Sequence, residues 1–196
     1  MRVPENLSEL IDLPIDFIGL IFYKKSKRFV SEKLPELDFK GKEKVGVFVN
    51  ESIEIIKEKS ERFDFKTIQL HGKESPEFCE ALKNENFKII KAFSVNDEFD
   101  FSKTKKYKHF CDFFLFDTKG KLPGGNGYTF DWKILKNYQG EVPFFLSGGI
   151  NISHNNILKG LNFKQLYAID LNSGFEIEPA LKDIPLLKKF INDVTI

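Results

Sequence analysis

From residue 16 onward, short apolar runs rich in β-branched and aromatic residues alternate with amphipathic or charged stretches, a rhythm that predicts repeated βα units. The expected strands are DFIGLIF ending at Phe22, KVGVFV ending at Val49, TIQL ending at Leu70, FKIIKAF ending at Phe93, FFLFD ending at Asp117, VPFFLS ending at Ser147 and QLYAID ending at Asp170. Most are apolar throughout, as parallel strands covered on both faces must be. Helix signals lie between them. Ser75 and Pro76 form an N-cap and first-turn pair with Phe78, Cys79 and Leu82 on one face, which places Cys79 in the core. Asn50 is placed to cap a helix carrying Ile53 and Ile56, and Ile184, Leu187, Phe190 and Ile191 give the last helix an apolar stripe. Ahead of the first strand, Pro4 with Leu7, Leu10 and Ile11 reads as a helix. An eight-stranded barrel closed by this rhythm needs one strand more than the sequence supplies.

Length and composition narrow the picture without naming a chemistry. The 196 residues suit one domain, spanning 1–196, with enough apolar residues for a sizeable core. A net charge of +1 leaves no electrostatic footprint for nucleic acid or an anionic membrane, so neither is expected as a partner. No apolar stretch approaches the roughly 20 residues of a membrane helix, and MRVPENLSEL does not read as a signal peptide, so a cytoplasmic protein is expected. Cys79 and Cys111 make no C-x-x-C pair, and neither a disulfide framework nor a zinc site is suggested. The 22 phenylalanines are spread through strand-like and helix-like segments, which reads as core filling and not as a base-stacking platform.

Candidate chemistry sits directly after the strands, at the catalytic end of a parallel α/β fold. The KKSKRFV loop contains Arg28, either part of a solvated charge run or a fork for a planar carboxylate. His71 follows TIQL, where a lone histidine is more often structural than catalytic. Asp117 closes FFLFD, and a carboxylate at the mouth of a dry barrel could hold a proton near neutral pH; a helix cap or a partner for Lys119 is the competing reading. The loop TKGKLPGGNGYTFDW has neither the P-loop order nor a complete G-x-G-x-x-G, so nucleotide binding is unsupported. Gly148 and Gly149 in LSGGI, and Ser173 and Gly174 in DLNSGFE, follow the last two strands, where small residues let backbone N–H groups close around an anion.

In order along the chain, DFIGLIFYKKSKRFV, VGVFVNES, IQLHGKES, LFDTKGKLPGGNGYTFDW, LSGGI and DLNSGFE resemble the phosphoribosylanthranilate isomerase family. The resemblance implies a (β/α)8 TIM barrel lacking its first strand. It also implies an Amadori rearrangement of N-(5′-phosphoribosyl)anthranilate, in tryptophan biosynthesis, with no metal or cofactor and by a monomer or homodimer. The family's general acid falls on Asp117 and its anthranilate-carboxylate site on Arg28. Its phosphate site falls on Gly125, Gly148, Gly149, Ser173 and Gly174, while His71 and Asp170 fall at the rim of the substrate pocket. The departure is at the start: family members open with a strand of the type K-I-C-G-M, whose cysteine is the general base, and Met1 and Arg2 align with the M-R after it. This implies either a chain start assigned one methionine too late or a truncated, inactive phosphate-binding barrel that serves as a binding module. An indole-glycerol-phosphate synthase or a pentose-phosphate epimerase would need a catalytic lysine or metal-binding histidines, and His71, His109 and His154 do not offer that metal set.

Overall fold

The computed structural model describes residues 3–30, 37–118 and 131–194. Helix α1 (Pro4–Ile11) precedes strands β1 (Phe17–Ile21) and β2 (Glu43–Phe48). Then follow α2 (Ile53–Phe63), β3 (Thr67–Leu70), α3 (Pro76–Asn84), β4 (Lys88–Val95), β5 (Phe113–Thr118), β6 (Phe144–Leu146), α4 (Asn155–Lys159) and β7 (Leu166–Ile169). A two-stranded antiparallel ribbon, β8 (Glu176–Glu178) with β9 (Leu181–Lys182), leads into α5 (Ile184–Asp193). Short 3₁₀ turns at Phe101–Tyr107 and Trp132–Asn137 stand where full helices would be expected after β4 and β5.

Strands β1 to β7 form one sheet in sequential order, every neighbouring pair parallel. All seven expected strands are present, within a few residues of their expected ends. Laid flat, β1 and β7 would stand about 29 Å apart at the usual strand spacing. Yet the Phe17 ring of β1 lies 6.3 Å from Tyr167 of β7 and 5.3 Å from Phe145 of β6, so the sheet is curled nearly into a barrel. Phe113 completes this layer, 5.2 Å from Phe145 and 4.6 Å from Tyr167. Val45, Ile90, Ala92 and Leu115 fill the interior beside it. Among the described residues no strand pairs the outer edges of β1 and β7.

A second, larger core lies between the sheet and the surrounding helices. Phe22, Phe48, Phe63 and Phe65 stack within it at centroid distances of 4.9–6.2 Å, which bears out phenylalanine as core filling. Cys79 is buried here, as its place on the apolar face of α3 requires. Ser75 caps α3 through the Phe78 amide, but α2 departs from expectation: Ser52, not Asn50, accepts from the Ile55 amide. Asn50 sits at φ 52°, a left-handed turn that asparagine tolerates, and its side-chain oxygen accepts from Lys73 N instead. At the other end of the chain, Asp183 caps α5, whose Leu187 and Phe190 are buried. Asn6 of α1 pairs with the Lys182 peptide in both directions at 2.8 Å, tying α1 to β9. No helix among the described residues is long and apolar enough to cross a membrane.

An unpaired strand edge opens more readily than one bonded on both sides. Amide hydrogen exchange should therefore be fastest, among the strands, in β1 and β7 and slowest in β4 and β5. Equal protection across the sheet would show that the gap between β1 and β7 is closed in solution.

Candidate active site

Because all seven strands run the same way, the residues that follow them converge on one rim. Asp117, at the end of β5, is buried at the mouth, and its Oδ2 lies 3.2 Å from His71 Nε2. The other ring nitrogen of His71 is 2.8 Å from Gln69 Oε1, so the imidazole is held between β3 and β5. Asp170, just past β7, accepts a 3.0 Å hydrogen bond from the Ser147 hydroxyl. Burial, above all, and the charge of Asp117 push the Asp170 carboxyl above its ordinary range, against the Ser147 hydrogen bond and the charges of Lys182 and His71. The rim thus brings two carboxylates and a histidine together over the apolar interior.

The two glycine loops meet beside this group. Gly148 and Gly149 both have positive φ, 94° and 68°, a left-handed run that glycine adopts without a Cβ penalty. A Cβ on Gly148 would come within 2.4 Å of Thr118 N and 2.7 Å of Asp117 Oδ1, so only glycine passes the end of β5. A Cβ on Gly174 would fall 2.0 Å from Ile150 O, which brings the Ser173–Phe175 turn against the loop after β6. The structure therefore unites Gly148, Gly149, Ser173 and Gly174; Gly125 lies outside the described residues.

Arg28 also reaches the rim, but its fork is engaged. Glu176, only 4% exposed at its side chain, accepts from Nε at 2.8 Å and from Nη2 at 2.5 Å. Burial alone would raise the Glu176 carboxyl, but Arg28 and Lys182 together outweigh it and hold the group below its ordinary value of 4.5. Lys182 is nearly buried, donates to the Asn172 carbonyl and side chain, and is pushed below the usual lysine range by burial despite Glu176 and Asp170 nearby. Glu176 and Lys182 were not singled out in the sequence, although Glu176 ends the DLNSGFE segment. A carboxylate two residues after the Ser173–Gly174 turn is the signal that could have marked it.

A cavity of about 500 Å³ opens between β1 and β7 and runs up to Asp117, His71 and Asp170. Cys79 and Cys111 are not on its walls. Both are buried outside it, and the contact with Cys79, together with burial, raises the Cys111 thiol far above its ordinary range. Among the described residues no group of three or more His, Cys, Asp or Glu side chains could hold a metal ion.

Parallel strands wound in sequence, helices outside and a cluster of titratable side chains at the C-terminal rim define a (β/α)-barrel protein with an enzyme-type mouth. The family model for N-(5′-phosphoribosyl)anthranilate (PRA) isomerase matches residues 1–193, and the chain belongs to that family. The N-(5′-phosphoribosyl)anthranilate isomerase of Parabacteroides distasonis is 45% identical over 199 residues, covering 99% of this chain and 90% of its own. The solved phosphoribosyl anthranilate isomerase of Thermotoga maritima superposes with a TM-score of 0.83 at 32% identity, over 99% of this chain and 95% of that one. Another solved PRA isomerase, in complex with reduced 1-(o-carboxyphenylamino)-1-deoxyribulose 5-phosphate, gives a TM-score of 0.80 at 30% identity, with 99% and 94% covered. The function is accordingly that of an isomerase of tryptophan biosynthesis acting on a phosphorylated small molecule.

The Arg28–Glu176 pair has a measurable signature. A carboxyl with a lowered folded-state pKa contributes stability above its unfolded value and loses it as pH falls through the folded one. Glu176→Gln should cost about 3 kcal/mol at pH 7, because it leaves Arg28 and Lys182 facing a neutral group. That deficit should shrink below pH 4.5, as wild-type Glu176 itself takes up a proton. Urea midpoints of both proteins across pH 3–7, spanning that value, test this; a pH-independent deficit would disprove the assignment.

Proposed function

We propose that Asp117 is the general acid of the Amadori rearrangement, that Arg28 meets the anthranilate carboxylate, and that Gly148, Gly149, Ser173 and Gly174, joined by Gly125, hold the phosphate. The observation that carries this reading is the chain of contacts Gln69–His71–Asp117 over a dry interior. Gln69 turns its carbonyl oxygen to Nδ1, so Nδ1 carries a hydrogen. The Nε2–Oδ2 contact then requires one proton between the two residues, on Asp117 with a neutral imidazole or on an imidazolium facing a carboxylate. Either way a transferable proton lies at Asp117, where the furanose ring oxygen would receive it as the ring opens to the Schiff base.

The remaining groups divide by place. Asp170, after β7, and His71, after β3, border the same cavity as Asp117, where they would face the ribose hydroxyls. With Nε and one terminal nitrogen of Arg28 committed to Glu176, a substrate carboxylate would meet the other terminal nitrogen. Glu176 thereby orients the guanidinium instead of competing with substrate for the whole fork. The phosphate would sit where Gly148 and Gly174 allow backbone N–H groups to approach.

Removal of the C2′ proton calls for a base. The family resemblance assigns it to the cysteine of a K-I-C-G-M strand, and residues 1–196 contain no such segment. The cavity between β1 and β7 has the position such a strand would take, and no cysteine is on its walls. This favours a second reading for residues 1–196 taken alone, a barrel that binds the phosphorylated ligand with little turnover.

Two measurements check these assignments. Asp117→Asn, which cannot transfer a proton, should lower kcat by about 10²- to 10⁴-fold while a reduced product analogue still binds in calorimetry. An unchanged kcat would remove Asp117 from the proton transfer. Joining a K-I-C-G segment ahead of residue 1 should raise both melting temperature and isomerase rate, the latter by about 10²- to 10⁴-fold, while the K-I-A-G version raises the melting temperature alone. If residues 1–196 already turn over as fast as the extended chain, the base lies elsewhere at the rim.

A further inference from the structure

Beneath the rim, outside the cavity, lies an ion pair that no step above uses. Lys91 of β4 and Glu74 meet at 2.9 Å, their side chains 3% and 2% exposed. Two charges withdrawn so completely from water gain little net stability from each other, since desolvation offsets the attraction. What the pair does hold is backbone. Lys91 Nζ lies 3.0 Å from Leu70 O and 2.9 Å from Gly72 O, the carbonyls on either side of His71. Glu74 accepts from Gly72 N at 3.0 Å and from Asn50 N at 2.8 Å. The Tyr107 hydroxyl in turn donates to Glu74 O.

The consequence is a turn fixed at both ends. Residues 70–74 are pinned to β4 through Lys91 and to the end of β2 through Asn50, and the space around Gly72 is already filled. A Cβ there would meet Asn50 Oδ1 at 2.4 Å and Glu74 Oε1 at 2.7 Å. His71 is carried on this turn, and its backbone N–H donates to Phe48 O at 2.8 Å. Only its ring is left to reach outward, to Gln69 and Asp117.

We propose that Lys91 and Glu74 are positioning residues for the general acid, fixing the turn that holds His71 against Asp117. The proposal rests on the acid role of Asp117 proposed above. Neither residue borders the cavity, so neither touches substrate. Their effect reaches the chemistry through the placement of the imidazole, and with it the proton shared with Asp117. The proposed phosphate loops follow β6 and β7, whereas the hydrogen bonds of the pair go to residues 50, 70, 72 and 92, so ground-state binding should be spared.

The test uses Lys91→Met, which strands the Glu74 charge, and the double variant Lys91→Met/Glu74→Gln, which removes both charges and keeps an acceptor for Gly72 N. Lys91→Met alone should lower the melting temperature. The double variant should restore most of it, yet kcat should stay down by about 10²-fold, the penalty of a misplaced catalytic group. KM should move by no more than about twofold, since uniform binding is intact. In histidine-labelled protein, the His71 ring nitrogen resonances should shift in the double variant although its fold is retained. Recovery of both melting temperature and kcat in the double variant, or unshifted His71 resonances, would overturn the proposal and leave the pair a structural clamp. The nitrogen resonances report on His71 placement without turnover. Should Asp117→Asn prove fully active, the acid assignment fails on its own, while the resonances still decide whether the pair positions His71.

Discussion

The aromatic layer of Phe17, Phe113, Phe145 and Tyr167 is what lets a row of seven parallel strands curl until its two ends face each other. Edge-to-face and stacked rings pack around the buried Phe145, although Tyr167 stays half exposed, and the curl draws the strand ends above them into a ring. Parallel direction then does the rest. Every strand delivers its C-terminal residues to the same rim, so side chains separated by dozens of residues share one small, poorly hydrated mouth.

Low hydration explains why the rim is so thoroughly paired. Asp117 has His71, Asp170 has Ser147, Glu176 has Arg28 and Lys182, and below them Lys91 has Glu74. Each charge taken out of water needs such a partner or must change its protonation state. Asp170 shifts upward chiefly because it is buried, with the charge of Asp117 adding to that, whereas Glu176 shifts downward because Arg28 and Lys182 outweigh its burial. Two acidic groups on one rim are thereby made chemically different.

Under the proposed function, the gap between β1 and β7 bears on the balance between binding and turnover. Asp117, Arg28 and the glycine loops, to which the proposed function gives the acid, carboxylate and phosphate roles, stand on β5 or on the loops beyond β1, β6 and β7. A base projecting into the cavity from between β1 and β7 is the element the described residues do not supply. Family membership, from the match over residues 1–193 and from relatives covered at 90% or more of their length, does not depend on that strand.

The sequence by itself determined the strands, their parallel character and the rim positions, because continuous apolar runs and glycine pairs are local signals. It also placed Asp117, His71, Asp170 and the late glycines at strand ends, since a parallel fold converts position after a strand into position on the rim. Closure, by contrast, decided who touches whom. Arg28 meets Glu176 across 148 positions and Asn6 meets Lys182 across 176, and nothing in either neighbourhood announces the other. Lys91 in FKIIKAF reads as one polar residue in a strand, and Glu74 as one acid in a helix-capping segment. Ser52 displaced Asn50 as a helix cap because Glu74, brought in from the next strand's turn, captures the Asn50 amide and holds that residue in a left-handed turn. Pairings of this kind depend on the curvature of the sheet, which is a property of all the strands packed together and of no one segment.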